Sequence, residues 1–348
     1  MTGHGLQQSP RRVAVFRALQ LGDVLCGVPA LRSLRRGLPA AHISFVGLPW
    51  ARGFADRFSH LVDDFIEFPG YPGLPERGWQ FDAVAQFFAE LRARDLDLAV
   101  QLHGSGGITN PLVADFGARL AAGFYQPGAP SPGWSFVPWE RRHEIHQLLA
   151  PMQRLGMPLC GDHLEFPITP HDEREFAALA SRHALRGPYV VVHGGSRMPS
   201  RRWPARRFSE VARALAERSY RIVLTGAAPE GEIAREIAAR MGCASINLAG
   251  HTSLGSLAVL IREASLLVSN DTGVSHIAAA LGTPSVIVAC GSDVERWRPL
   301  DVEHHTVLSS DVPCRPCSYA ECPIGHPCAL GVSVSAVLAA AEALLGKQ

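Results

Sequence analysis

The feature that most restricts how this chain can fold is a strand–helix alternation that it runs through twice. In the second half, Tyr189–His193, Arg221–Gly226, Ser245–Ala249, Leu266–Asn270 and Ser285–Cys290 are short, β-branched runs. Helical segments Pro204–Arg218, Pro229–Met241, Ser253–Ala264 and Thr272–Leu281 lie between them, the first with an apolar stripe of Phe208, Val211, Ala212, Leu215 and Ala216. The first half repeats the order with strands at Arg12–Phe16, His42–Val46 and Leu96–Leu102 and helices at Asp23–Arg36 and Trp79–Arg94. A Pro/Gly-rich stretch, Tyr125–Trp139, then precedes a helix over Glu140–Leu155. Buried strands separated by helices require a parallel sheet covered on both faces. A chain of 348 residues, 47% of them hydrophobic, can fill two such cores. The expected fold class is therefore α/β, with two doubly wound lobes joined near residues 168–188 whose parallel sheets face across a cleft. The expected domains are 1–170, 185–330 and a C-terminal helix, 331–348, that packs back on the N-terminal lobe.

Charge narrows the function classes. Lys and Arg number 33 and Asp and Glu 32, so nothing marks a nucleic-acid-binding protein. Arg11, Arg12, Arg17, Arg32, Arg35 and Arg36 nevertheless make the N-terminal segment basic, suiting an acidic acceptor, a membrane surface or a solvated helix face. Met1–Pro10 is polar, without the apolar core of a signal peptide, and no apolar run is long enough to span a bilayer. A cytoplasmic location is expected, with reduced thiols.

Ligands of open α/β sheets sit beyond the carboxyl ends of the strands, so the informative loops are those that follow strands. Ser269-Asn270-Asp271-Thr272-Gly273-Val274-Ser275-His276 leads from a strand into an apolar helix. With Asp271 as N-cap, the N–H groups of Thr272, Gly273 and Val274, the Thr272 hydroxyl and His276 could hold a diphosphate. An ordinary capped helix would carry the same residues. His193-Gly194-Gly195-Ser196 precedes Arg201-Arg202-Trp203-Pro204, a loop able to offer a hydroxyl and two guanidinium forks to phosphate. Glu230, after Thr225-Gly226, suits the hydroxyls of a ribose or simply the first turn of a helix. Asp23, in Leu21-Gly22-Asp23-Val24-Leu25, could be a general base or the N-cap of its helix. Gly104-Ser105-Gly106-Gly107 lacks the third glycine of a dinucleotide fingerprint. Cys314, Cys317, Cys322 and Cys328 are spaced closely enough to ligate a structural zinc, with His326 as a substitute ligand, while Cys26, Cys160, Cys243 and Cys290 read as buried thiols.

Together these motifs resemble glycosyltransferase family 9, the ADP-heptose:lipopolysaccharide heptosyltransferases. The resemblance rests on Leu21–Leu25 with Pro29-Ala30-Leu31, on Arg202-Trp203-Pro204, on Thr225-Gly226 through Glu230, and on Asp271–His276 followed by Ala278–Gly282. It implies a GT-B architecture of two Rossmann-like lobes, the first for the acceptor and the second for the nucleotide sugar. It also implies inverting, metal-independent transfer with no cofactor required for catalysis. Carried over by residue, Asp23 is the base, Ser196 and Arg201 contact the donor's phosphates and sugar, Glu230 holds the ribose, and Asp271, Thr272, Gly273 and His276 form the diphosphate site. Arg201 and Arg202 both stand where the family usually has a lysine, so either could take its part. The implied donor is a nucleotide diphosphate sugar, ADP-heptose. The implied acceptor is a lipopolysaccharide-core or other cell-envelope glycan, reached by peripheral association with the inner membrane. A catalytically silent nucleotide-sugar-binding protein and a GT-B UDP-sugar epimerase share the same motifs.

Overall fold

The computed structural model describes residues 9–347, so most of the polar N-terminal stretch in which no signal peptide is read lies outside the described residues. The chain divides into two units, Met1–Leu164 and Glu165–Gln348.

In the first unit, strands β1 (Arg12–Phe16), β2 (His42–Gly47), β3 (Asp64–Glu67), β4 (Leu98–Gln101), β5 (Leu120–Tyr125) and β6 (Phe136–Pro138) form a sheet in the order β3-β2-β1-β4-β5-β6. Every recorded pairing is parallel. Helices α1 (Leu21–Cys26), α2 (Val28–Gly37), α3 (Arg52–Arg57), α4 (Phe81–Ala93), α5 (Thr109–Ala114) and α6 (Glu144–Arg154) connect and cover it. The helix expected over Asp23–Arg36 is broken into α1 and α2, because the Gly27 N–H turns back to the Val24 carbonyl at 2.9 Å. An aromatic core of Phe16, Phe68, Phe87 and Phe116 fills the space over β1 and β4 with edge-to-face contacts.

The second unit opens with α7 (Pro170–Arg182), inside the segment read as a linker. Thr169 caps it in a reciprocal capping box with Asp172. Arg262 pairs with Glu173 at 2.8 Å, tying α7 to α10 within the second unit. Strands β7 (Tyr189–His193), β8 (Arg221–Leu224), β9 (Ile246–Asn247), β10 (Leu266–Asn270), β11 (Ser285–Val288) and β12 (His305–Leu308) are ordered β12-β11-β10-β7-β8-β9, again all parallel. Counted from each unit's own first strand, both sheets have the order 3-2-1-4-5-6. Helices α8 (Ala205–Glu217), α9 (Gly231–Met241), α10 (Leu254–Arg262) and α11 (Gly273–Leu281) are the crossovers; α12 (Val294–Trp297), α13 (Pro327–Leu330) and α14 (Val334–Leu345) follow. Both units are the Rossmann-like doubly wound lobes expected. Within the second unit α14 packs on α8 and β10–β12, with Val337, Ala341 and Leu344 in its core. Among the described residues no helix is long and apolar enough to cross a membrane.

Candidate active site

A 3-2-1-4-5-6 sheet reverses its winding between its first and fourth strands, and the loops leaving those two strands flank a crevice. In the second unit they follow β7 and β10, and a single buried side chain joins them. Asn270 is fully buried at the end of β10. Its Nδ2 donates to the Gly194 and Gly195 carbonyls at 2.9 and 3.2 Å, and its Oδ1 accepts the Trp203 N–H at 2.8 Å. Trp203 is itself a core residue, donating from Nε1 to the Val332 carbonyl at 3.1 Å. The glycine turn and the Arg-Trp-Pro entry to α8 are therefore anchored to the strand that feeds α11.

The residues expected to bind a donor cluster on these loops and on the one after β8. Glu230 ends a short 3-10 turn, and its Oε2 accepts the Ala227 N–H at 2.7 Å. Its carboxylate lies flat against Gly195, where any Cβ would overlap it, so the glycine brings two loops into contact. His193 is buried beneath them, with Nδ1 3.1 Å from Thr225 Oγ1 and Nε2 3.7 Å from Glu230 Oε2. Burial pushes its pKa down, against the opposing pull of the Glu230 charge, so the ring is neutral near pH 7. Ser196 is buried, and its carbonyl accepts Arg202 Nε at 2.8 Å.

The two arginines part company here. Arg201 donates from NH2 to the Cys317 carbonyl at 2.7 Å, whereas Arg202 donates from Nε to the Ser196 carbonyl at 2.8 Å, with no hydrogen bond from its terminal nitrogens among the described residues.

The cap of α11 is Thr272, not Asp271, which still belongs to the sheet through its N–H bond to the Val288 carbonyl at 3.1 Å. Thr272 makes no side-chain capping bond, and among the described residues the Gly273 and Val274 N–H groups of the first turn have no recorded acceptor. His276, 5% exposed, lies one turn further, edge-on to Trp297.

In the first unit, the loops after β1 and β4 occupy the equivalent positions. Asp23 is half-buried in the first turn of α1; the N-cap is Gln20, so capping does not account for the carboxylate. Three arginines of the basic N-terminal segment are held in ion pairs. Arg12 pairs with Asp95, Arg35 with Asp63, and Arg17 with Glu144 at 2.9 Å in the interior.

The four clustered cysteines line one pocket with Ser200, Gly291 and His326. Yet among the described residues no group of three or more His, Cys, Asp or Glu side chains is placed to hold a metal ion. His326 is occupied, its Nε2 2.8 Å from the Ser200 carbonyl and its backbone N–H on Cys322 Sγ at 3.1 Å. The zinc expectation has no geometric support. Of the other thiols, Cys26 and Cys290 are buried, with Cys290 pushed up to about 12 by desolvation, but Cys243 is exposed and Cys160 half-buried.

Sequence reading missed Asn270 and Arg17 as organisers of the two crevices. A lone amide closing a β-branched run was the available signal for the first, since a polar group buried at a strand end must find partners.

Known proteins bear on this geometry. The profile of glycosyltransferase family 9 (heptosyltransferase) matches residues 84–327. Lipopolysaccharide heptosyltransferase 1 of Pseudomonas aeruginosa is 27% identical over 339 residues, covering 89% of this chain and 87% of that protein. Lipopolysaccharide heptosyltransferase 2 of Escherichia coli K12 is 36% identical over 106 residues; that match covers 29% of this chain and spans only 30% of the relative's length. The solved E. coli ADP-heptose lps heptosyltransferase II superposes with a TM-score of 0.74 at 22% identity, over 97% of this chain and 99% of that one, a likeness of fold. With the profile matched over residues 84–327, well over half of its length, the chain belongs to glycosyltransferase family 9, the heptosyltransferase family.

Proposed function

We propose that this protein is an inverting glycosyltransferase that moves heptose from ADP-heptose to a hydroxyl of lipopolysaccharide core or a related cell-envelope glycan. The observation that carries the reading is the convergence, at the second unit's switch point, of an uncapped helix N-terminus, the Arg202 guanidinium and a carboxylate set against Gly195. The first two complement a diphosphate. The third suits ribose hydroxyls. The family membership and the donor named for the E. coli structure favour ADP-heptose among nucleotide sugars.

In this reading Asp23 takes the proton of the acceptor hydroxyl as its oxygen attacks the anomeric carbon, and the bond to the diphosphate breaks on the opposite face. The departing ADP gathers negative charge, which the Gly273 and Val274 N–H groups and Arg202 stabilise without a required divalent metal. Ser196, Asp271 and His276, on the same two loops and the helix that follows, would complete the donor site. The chain would work at the cytoplasmic face of the inner membrane, where such acceptors are presented.

The test is transfer from ADP-heptose to lipopolysaccharide lacking core heptose, followed by ADP release in buffer with EDTA. Asp23→Asn should lower the rate by about 10²–10⁴-fold while leaving ADP affinity intact. A folded Asp23→Asn protein with near-normal turnover refutes the base. ADP binding with no transfer to any acceptor would mark a nucleotide-sugar-binding protein instead.

A further inference from the structure

The first unit buries a complete ion pair at its switch point. Arg17, the first residue beyond β1, is 1% exposed, and its partner Glu144, the first residue of α6, is 5% exposed. The guanidinium uses three separate donors on three elements. Its NH2 meets Glu144 Oε1 at 2.9 Å, its NH1 donates to the Leu102 carbonyl just past β4, and its Nε donates to the Asp23 carbonyl at 2.7 Å.

The last contact exists because α1 is so short. In a continuing α-helix the Asp23 carbonyl would accept from the N–H four residues on, that of Gly27. That N–H goes to the Val24 carbonyl at 2.9 Å instead, and the guanidinium takes its place. Gly27 leaves room for it, since a Cβ there would stand 3.2 Å from Arg17 Cδ.

Charge burial of this kind is a poor stabiliser: desolvating both ions offsets their attraction, and apolar residues of equal volume often serve as well or better. What the pair does supply is location. The Asp23 carbonyl belongs to the peptide plane that follows its own Cα, so tying that oxygen through Arg17 to β1, β4 and α6 restrains the backbone from which the carboxylate departs.

We infer that Arg17, held by Glu144, is a positioning residue that aims the Asp23 carboxylate for proton abstraction. This rests on Asp23 being the base. Arg17 itself touches no substrate.

The experiment compares full-length Arg17→Lys, Asp23→Asn and the double variant, with ADP-heptose as donor and heptose-deficient lipopolysaccharide as acceptor. Lysine keeps the charge but cannot reach three partners at once. Arg17→Lys should lower kcat roughly 10- to 100-fold, the penalty of a carboxylate displaced by about 1 Å, with donor KM and ADP affinity within about twofold of the parent. The double variant should be no slower than Asp23→Asn; if that variant falls below detection, Asp23→Glu takes its place in the comparison. An unchanged kcat in Arg17→Lys, or losses that multiply in the double variant, overturns the inference. Near-normal turnover in Asp23→Asn removes its premise and is recognisable as such from that variant alone. Should Arg17→Lys fail to fold, Glu144→Gln removes the charge that anchors the guanidinium, loosening its hold on the Asp23 carbonyl, and must show the same kcat-selective loss; normal turnover there refutes the assignment.

Discussion

Asn270 offers a sharp test of how the donor crevice is held. It is fully buried and makes three hydrogen bonds, two as donor to the Gly194 and Gly195 carbonyls and one as acceptor from Trp203. Asn270→Ala leaves a buried N–H and two carbonyls without that partner, a cost of about 3 kcal/mol that should not depend on pH. Asn270→Asp keeps the acceptor for Trp203 but puts a second oxygen where two carbonyl oxygens stand at 2.9 and 3.2 Å. Ionised, that carboxylate is repelled; protonated, it can donate to one of them. A fully buried carboxyl without a cation has its pKa raised by about 3–5 units above its unfolded value near 4. With the folded pKa the higher of the two, stability is fully present below the unfolded pKa and is lost as pH rises toward the folded one, at about 1.4 kcal/mol per unit. By pH 7 the added loss is about 4 kcal/mol. Asn270→Asp should therefore be the more stable variant at pH 5 and the less stable at pH 8, each measured against the parent by urea unfolding. Hydrogen exchange over residues 189–203 locates the change in this loop. If the two variants keep the same order at both pH values, the amide does not bridge the carbonyls as described.

The remaining expectations concern the same unit. Arg202→Gln should weaken ADP binding about 10- to 100-fold by calorimetry, the worth of a charge-assisted phosphate contact, whereas Arg201→Gln should change it by no more than about threefold because Arg201 NH2 is turned to the Cys317 carbonyl. Equal losses would mean that the loop rearranges on binding. Gly195→Ala drives a methyl into the Glu230 carboxylate and should weaken ADP binding about tenfold, with no further loss when Glu230 is already alanine. Additive losses in that pair would separate the glycine from the carboxylate. Burial, against the pull of Asp301, lowers the His305 pKa to about 4, so the unfolded chain takes up a proton there before the folded one. Stability from this group is intact above about pH 6.5 and falls by about 3 kcal/mol in all as pH drops to about 4. His305→Gln should flatten that part of the acid-unfolding curve; an unchanged curve would place the sensitivity elsewhere.

The alternation of β-branched runs with helix-period stripes was enough to determine two doubly wound lobes, because a strand buried on both faces has few other ways to satisfy its backbone. The motif loops were legible for a related reason: glycines, Trp203-Pro204 and the Asp271–His276 run sit where strands end, and strand ends are where such sheets bind ligands. Short edge strands such as Asp64–Glu67 and Phe136–Pro138 escaped notice, since three or four residues hardly reveal a period. Cap identity was misjudged by one residue at Asp271, where sheet hydrogen bonding outcompeted the local preference of aspartate for a helix cap. What tertiary structure alone decided is which polar groups meet. Arg17 finds Glu144 across 127 positions, and Asn270 finds Gly194 across 76. No local pattern encodes such partners, because they are fixed by the order in which parallel strands are laid beside one another. The same placement separates two adjacent arginines that a sequence presents as equals, one donating from NH2 to the Cys317 carbonyl and the other from Nε to the Ser196 carbonyl.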